Sequence, residues 1–129
     1  MKATPMVWSG RVLSGLFVLF MLGASVAPKF LMPEIARAAT PPGVPDAAIP
    51  LIGAIELVAT LLYVWRRTAL LGAILMTAVL GGAIATHLSA GSPLFSHTLF
   101  GVWLGLVMWA GLWLRDADLR QRLPIRRVP

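Results

Sequence analysis

Four long apolar runs alternate with short polar or proline-rich junctions along the chain. They cover about residues 12–32, 49–65, 69–88 and 94–114. A helix needs roughly 20 apolar residues to cross a hydrocarbon layer about 30 Å thick, and the second run only just qualifies. The pattern predicts an all-α fold: a four-helix transmembrane bundle forming one domain over residues 1–129, with a thin or tilted second span. The first junction, residues 33–50, holds five prolines together with Gly43 and Asp46 and reads as a loop with a short turn around residues 34–39. The second is Arg66-Arg67-Thr68. In the third, Ser89-Ala90-Gly91-Ser92-Pro93, glycine and proline stop one helix and start the next. The basic tail, residues 115–129, is expected to prolong the fourth helix as far as Pro124.

Composition narrows the class. Of 129 residues, 58% are hydrophobic and 12% charged, about half the charged share of a soluble domain. The net charge of +6 does not point to nucleic acid, because the basic residues flank apolar runs instead of forming a patch on a polar fold. The absence of cysteine excludes disulfides, thiolate metal sites and CxxC redox chemistry by this chain. Lys2, Arg11 and the following run up to Ala24-Ser25-Val26-Ala27 look like a cleavable leader. Pro28 disfavours cleavage, however, and the run continues through Met32, so a retained span is expected. Nine basic residues lie in the N-terminal segment, the second junction and the tail (Lys2, Arg11, Arg66, Arg67, Arg115, Arg120, Arg122, Arg126, Arg127). Two, Lys29 and Arg37, lie on the other side. That asymmetry predicts a multi-pass protein of the inner (plasma) membrane with both termini cytoplasmic.

The helices have readable faces. In the second, Leu51, Ile55, Val58, Leu62 and Trp65 form an apolar stripe suited to lipid, whereas Gly53, Glu56, Thr60 and Tyr63 form a small and polar stripe suited to a helix contact. The third carries two small-residue stripes, Ala73-Thr77-Gly81-Ala85 and Ala78-Gly82-Thr86-Ala90, expected to let neighbours approach on two sides. In the fourth, Gly101 and Gly105 make a GxxxG that fits internal packing or a homodimer seam equally well. Gly53, Gly81, Gly82, Gly101 and Gly105 are thus the expected helix-packing glycines. Trp103, Trp109 and Trp113 suit an aromatic belt or a lipid-facing role.

One charge interrupts the second run. Glu56 lies about 10 Å from its outer end, and a carboxylate at that depth needs a buried partner or a function. Lys29, His87 and His97 stand near the same ends of the other three helices, so four ionisable groups converge on the outer third of the bundle. Each also has a plainer explanation: a register-fixing ion pair for Glu56, snorkelling for Lys29, headgroup contact for His87 and helix initiation for His97. The histidines lack ligand spacing, so a metal is not expected. A proton relay or a quinone headgroup is compatible with a glutamate–histidine pair. No phosphate loop, nucleophile elbow or HExxH occurs, and catalysis by this chain alone is not expected.

Five segments stand out: Gly53-Ala54-Ile55-Glu56-Leu57, Leu70-Leu71-Gly72-Ala73, Leu80-Gly81-Gly82-Ala83-Ile84-Ala85-Thr86-His87, Ser92-Pro93-Leu94-Phe95-Ser96-His97 and Leu114-Arg115-Asp116. On these the chain resembles the DoxX-like family of small four-helix membrane proteins. The wider group includes small membrane subunits of thiosulfate:quinone oxidoreductase and components linked to redox defence. The resemblance implies that the family's polar positions fall on Glu56, His87 and His97, with Lys29 beside them. Three roles follow in order: a non-catalytic membrane component with a redox-related protein partner, a quinone-binding redox subunit, and a small carrier.

Overall fold

The computed structural model describes residues 3–126 and 128; Lys2 and Arg127, counted among the basic residues above, lie outside them. The described residues are helical, without strands. Helix α1 spans Pro5–Leu31 and contains a π-helical stretch, Met21–Val26. Then follow α2 (Pro33–Ala39), α3 (Ala48–Val64), α4 (Ala69–Ser89), α5 (Leu94–Arg115) and α6 (Ala117–Arg122). Helices α1, α4 and α5 are long and apolar enough to cross a bilayer, whereas α3 has 17 residues, about 25 Å at 1.5 Å each.

Two ends differ from expectation. Helix α1 begins at Pro5 instead of about residue 12, because Thr4 caps it: the Thr4 hydroxyl accepts the Val7 N–H at 3.3 Å and proline occupies the first turn. The tail does not prolong α5. Asp116 adopts extended backbone, and its carboxylate caps α6 by accepting the Asp118 and Leu119 N–H groups at 3.0 and 3.2 Å. Arg120 folds back and donates to the Trp113 and Leu114 carbonyls at 2.9 and 2.7 Å, supplying partners that the end of α5 would otherwise lack.

The four long helices form a ring: α1 packs on α5, α5 on α4, α4 on α3, and α3 on the π-helical part of α1. The end that carries both termini is solid. Phe17, Tyr63, Met76, Met108 and Leu112 are each at most 1% exposed, and Phe17 meets Tyr63 edge-to-face at 5.4 Å. The Tyr63 hydroxyl donates to the Met108 carbonyl at 2.7 Å and shares a hydrogen bond with Ser14 at 2.9 Å, tying three helices together. Arg115 lies over the Tyr63 ring and donates to its carbonyl at 3.1 Å.

Glycines set the closest approaches, though not all of those expected. A Cβ on Gly10 would lie 2.7 Å from the Gly111 carbonyl, one on Gly111 would lie 2.5 Å from Ser14 Oγ, and one on Gly72 would strike the Tyr63 backbone. Gly53 meets Lys29 and Phe30 of α1, and Gly101 meets Ile84 of α4, so that part of the GxxxG works inside the chain. Gly105 makes only ordinary contact with Leu80. Gly81 and Gly82 make no such close approach among the described residues: a Cβ on either would meet nothing within 4 Å, and the buried positions of α4 are Ala69, Gly72, Ala73, Met76 and Leu80. Gly10→Ala and Gly72→Ala are accordingly expected to cost about 1–3 kcal/mol and lower the thermal midpoint in mild detergent. Gly15→Ala and Gly81→Ala, at open positions, should leave it unchanged or slightly raised. Size-exclusion profiles after a heating series read both outcomes.

Candidate functional site

The end opposite the termini is built differently. Pro28 has no N–H, and in a regular helix its ring would press on the carbonyl four residues earlier. The π turn absorbs this, with the Ala27 N–H reaching the Leu22 carbonyl. Such turns recur at functional sites. This one directs Ser25 and Lys29 toward α3, where Gly53 leaves room for the lysine stem.

Glu56 is 7% exposed. Its Oε2 accepts from Lys29 Nζ at 3.0 Å and from the Ser25 hydroxyl at 2.9 Å, while its Oε1 has a single longer contact, 3.3 Å, to Lys29. Lys29 also donates to Ser25 Oγ at 2.8 Å and to the Ser25 carbonyl at 3.2 Å. Lys29, Ser25 and Glu56 thus form one closed cluster between α1 and α3, in which serine bridges the two charges.

The histidines make a second cluster across α4 and α5. Gly91, at φ +68°, turns the chain back after α4, where an L side chain would be strained. Ser92 then meets His87 Nδ1 at 3.0 Å. Ser96 meets His97 Nδ1 at 2.8 Å, and the two imidazole rings lie 5.8 Å apart, edge to face. His97 sits on the π turn Leu94–Thr98 that opens α5 and is exposed; His87 is half-buried.

A cavity of about 510 Å³ lies between these clusters. Glu56, Lys29, His87 and His97 all line it, together with Ser25 and Thr86. Among the described residues no hydrogen bond joins the lysine–glutamate pair to the histidines. The remaining wall is apolar, from Met21 on α1, Ile52 on α3, Ala78 on α4 and Leu104 on α5, with Gly82 facing the space. Thr40, Pro41 and Val44 cover it from the first junction. That cover is shaped by Arg37, whose guanidinium donates to the carbonyls of Val44 (2.6 Å), Pro41 (2.8 Å) and Thr40 (3.3 Å) and to the Asp46 carboxylate (2.9 Å). Among the described residues no group of three His, Asp or Glu side chains is placed to hold a metal.

Sequence reasoning had not singled out Ser25 and Arg37. Ser25 stands four residues before Lys29, a spacing that puts both on one helical face, and this was the available signal. In the sequence Arg37 reads only as a charge in a junction, and its short separation from Asp46 is the corresponding clue.

Apolar helices of this length, ringed around a partly polar cavity, define a multi-pass membrane protein. The model of the DoxX-like family matches residues 12–111, and the chain belongs to that family. Comparison with curated proteins and with solved structures finds no match in either.

The ion pair makes a direct prediction. Glu56→Ala leaves Lys29 among apolar neighbours without its counter-charge and is expected to cost roughly 3 kcal/mol. Lys29→Met combined with Glu56→Leu removes both charges and should recover most of that loss. Ser25→Ala should cost about 1 kcal/mol. Thermal midpoints of the purified variants in one detergent check the ranking, and a double variant no better than Glu56→Ala would contradict it.

Proposed function

We propose that α1, α3, α4 and α5 all cross the inner (plasma) membrane, with both termini cytoplasmic. In this reading the chain is a non-catalytic membrane component that holds a lipid-soluble small molecule in the outer half of its bundle for a redox-related protein partner. The observation carrying it is the shared cavity: polar groups from all four long helices line one apolar space, the usual build of a small-molecule site.

Charge placement supports the orientation. At the end taken as outer, Lys29 is paired with Glu56 and Arg37 is tied into its own junction. Arg11, Arg66, Arg67, Arg120 and Arg122 belong to the other end, where the positive-inside rule puts them. The solid packing around Tyr63, Met76 and Met108 speaks against a carrier, which needs a path through that half. The serine–histidine contacts lie within the α4–α5 junction, and among the described residues neither ring has a carboxylate hydrogen-bond partner, which lends no support to a nucleophile–base reading. A quinone-binding redox subunit is the second reading, favoured by the ionisable side chains of Glu56 and His87 beside the same space.

Gly82 offers a clean test, since a side chain there enters the cavity without meeting the backbone. Mass spectrometry of the native protein in mild detergent should detect a retained small molecule, reduced at least tenfold in Gly82→Leu, while the ligand-stripped forms of the two proteins share one thermal midpoint. A quinone in that role, with electron transfer lost in Glu56→Gln, would promote the redox reading. A preparation without ligand from native membranes would remove the binding role. For orientation, the cysteine-free chain allows single-cysteine labelling. Ser92→Cys should react with an impermeant maleimide in intact cells and Thr68→Cys only after lysis; the reverse pattern would invert the bundle.

A further inference from the structure

Hydrogen-bond capacity at the cavity specifies the ligand's head, given that the cavity is a ligand site as proposed above. Lys29 has three N–H donors, and these already face four acceptors: the Ser25 carbonyl, Ser25 Oγ, and both oxygens of Glu56. A ligand carbonyl could reach Lys29 only by displacing one of them. The Ser25 hydroxyl proton is likewise engaged, by Glu56 Oε2. What this pole leaves open is acceptor capacity, on Glu56 Oε1, whose one contact is the longest in the cluster at 3.3 Å. Nδ1 of each histidine is matched to a serine; the remaining Nε2 donates or accepts according to tautomer and does not discriminate.

Charge restricts the head further. The lysine and glutamate offset each other, so an anionic head would meet the open oxygen of a carboxylate, while a cationic head would compete with Lys29 for it. We infer that the site selects a neutral hydroxyl donor, an alcohol, phenol or hydroquinone on an apolar body, with that hydroxyl donating to Glu56 Oε1. Carbonyl-only and ether heads of the same shape are discriminated against.

The matched probes are 4-nonylphenol and 4-nonylanisole, which differ in the donor and share the apolar body. Each is titrated against the detergent-purified full chain, with binding read from native mass spectra and from the thermal midpoint. Gly82→Leu supplies the non-specific baseline for each probe. The phenol is expected to bind about tenfold more tightly than the anisole, as for one hydrogen bond to a charged acceptor. In the Lys29→Met/Glu56→Leu variant the two should agree within about twofold. The wild-type comparison stands alone if that variant fails to fold. Equal binding of both probes, lost for both in Gly82→Leu, would overturn donor selection and leave the cavity as a ligand site. Binding of neither probe above the Gly82→Leu baseline would overturn the ligand site itself, and donor selection with it.

Discussion

A carboxylate in the middle of an apolar helix constrains everything around it. Glu56 cannot face hydrocarbon, and α3 offers it no counter-charge of its own. The partner has to come from another helix, and Lys29 of α1 supplies it at 3.0 Å. For that to happen α1 must approach α3 closely, which Gly53 permits, and must turn its later residues toward α3 after facing α5 earlier. The π turn ahead of Pro28 provides the change of direction. A helix defect and an ion pair are therefore parts of one solution: the proline forces open a turn, and the opened turn aims the lysine.

The two halves of the bundle use the same residue type to opposite effect. Near the termini, Gly10, Gly72 and Gly111 let backbones touch, and the Ser14–Tyr63–Met108 hydrogen bonds fasten the contact. Toward the other end, a Cβ on Gly82 would meet nothing within 4 Å, and the glycine leaves volume instead. In lipid there is little hydrophobic drive between helices, so close packing and hydrogen bonds must hold the bundle. Concentrating both in one half allows the other half to keep a cavity. The solid end serves as scaffold, and the polar side chains of the open end are positioned by contacts among themselves.

Much of this was legible in the sequence because lipid imposes strong periodicity. The bounds of α3, α4 and α5 follow the apolar runs closely, and the buried face of α3, Gly53, Glu56, Thr60 and Tyr63, is the face that its spacing predicts. Counting along the helices also put Lys29, Glu56, His87 and His97 at a common end, and all four line one cavity. What escaped depended on local hydrogen bonds or on neighbours. The Thr4–Pro5 cap and the Asp116 break are short-range events that a search for long apolar runs passes over. The small stripes of α4 could not reveal which of their positions meet a partner: Ala73 of the first is buried while Gly81 is open, and Gly72, which lies against α3, belongs to neither stripe. Ser25 was inconspicuous because a serine in an apolar helix ordinarily bonds its own backbone; here it bridges two charges of different helices.

The first junction links site and orientation. Three carbonyls of one short loop converge on the Arg37 guanidinium, so the cover of the cavity is formed by local sequence and needs little from the helices below it. This also removes Arg37 from the pool of free surface cations, as pairing with Glu56 removes Lys29. A plain count of basic residues therefore understates the charge asymmetry between the two ends. The cations of the cavity end are committed to structure, one beneath the cover and one within it. In the proposed orientation, the same two residues that build the site are the only basic residues that the sequence puts on the outer side, and both are held in place by a carboxylate.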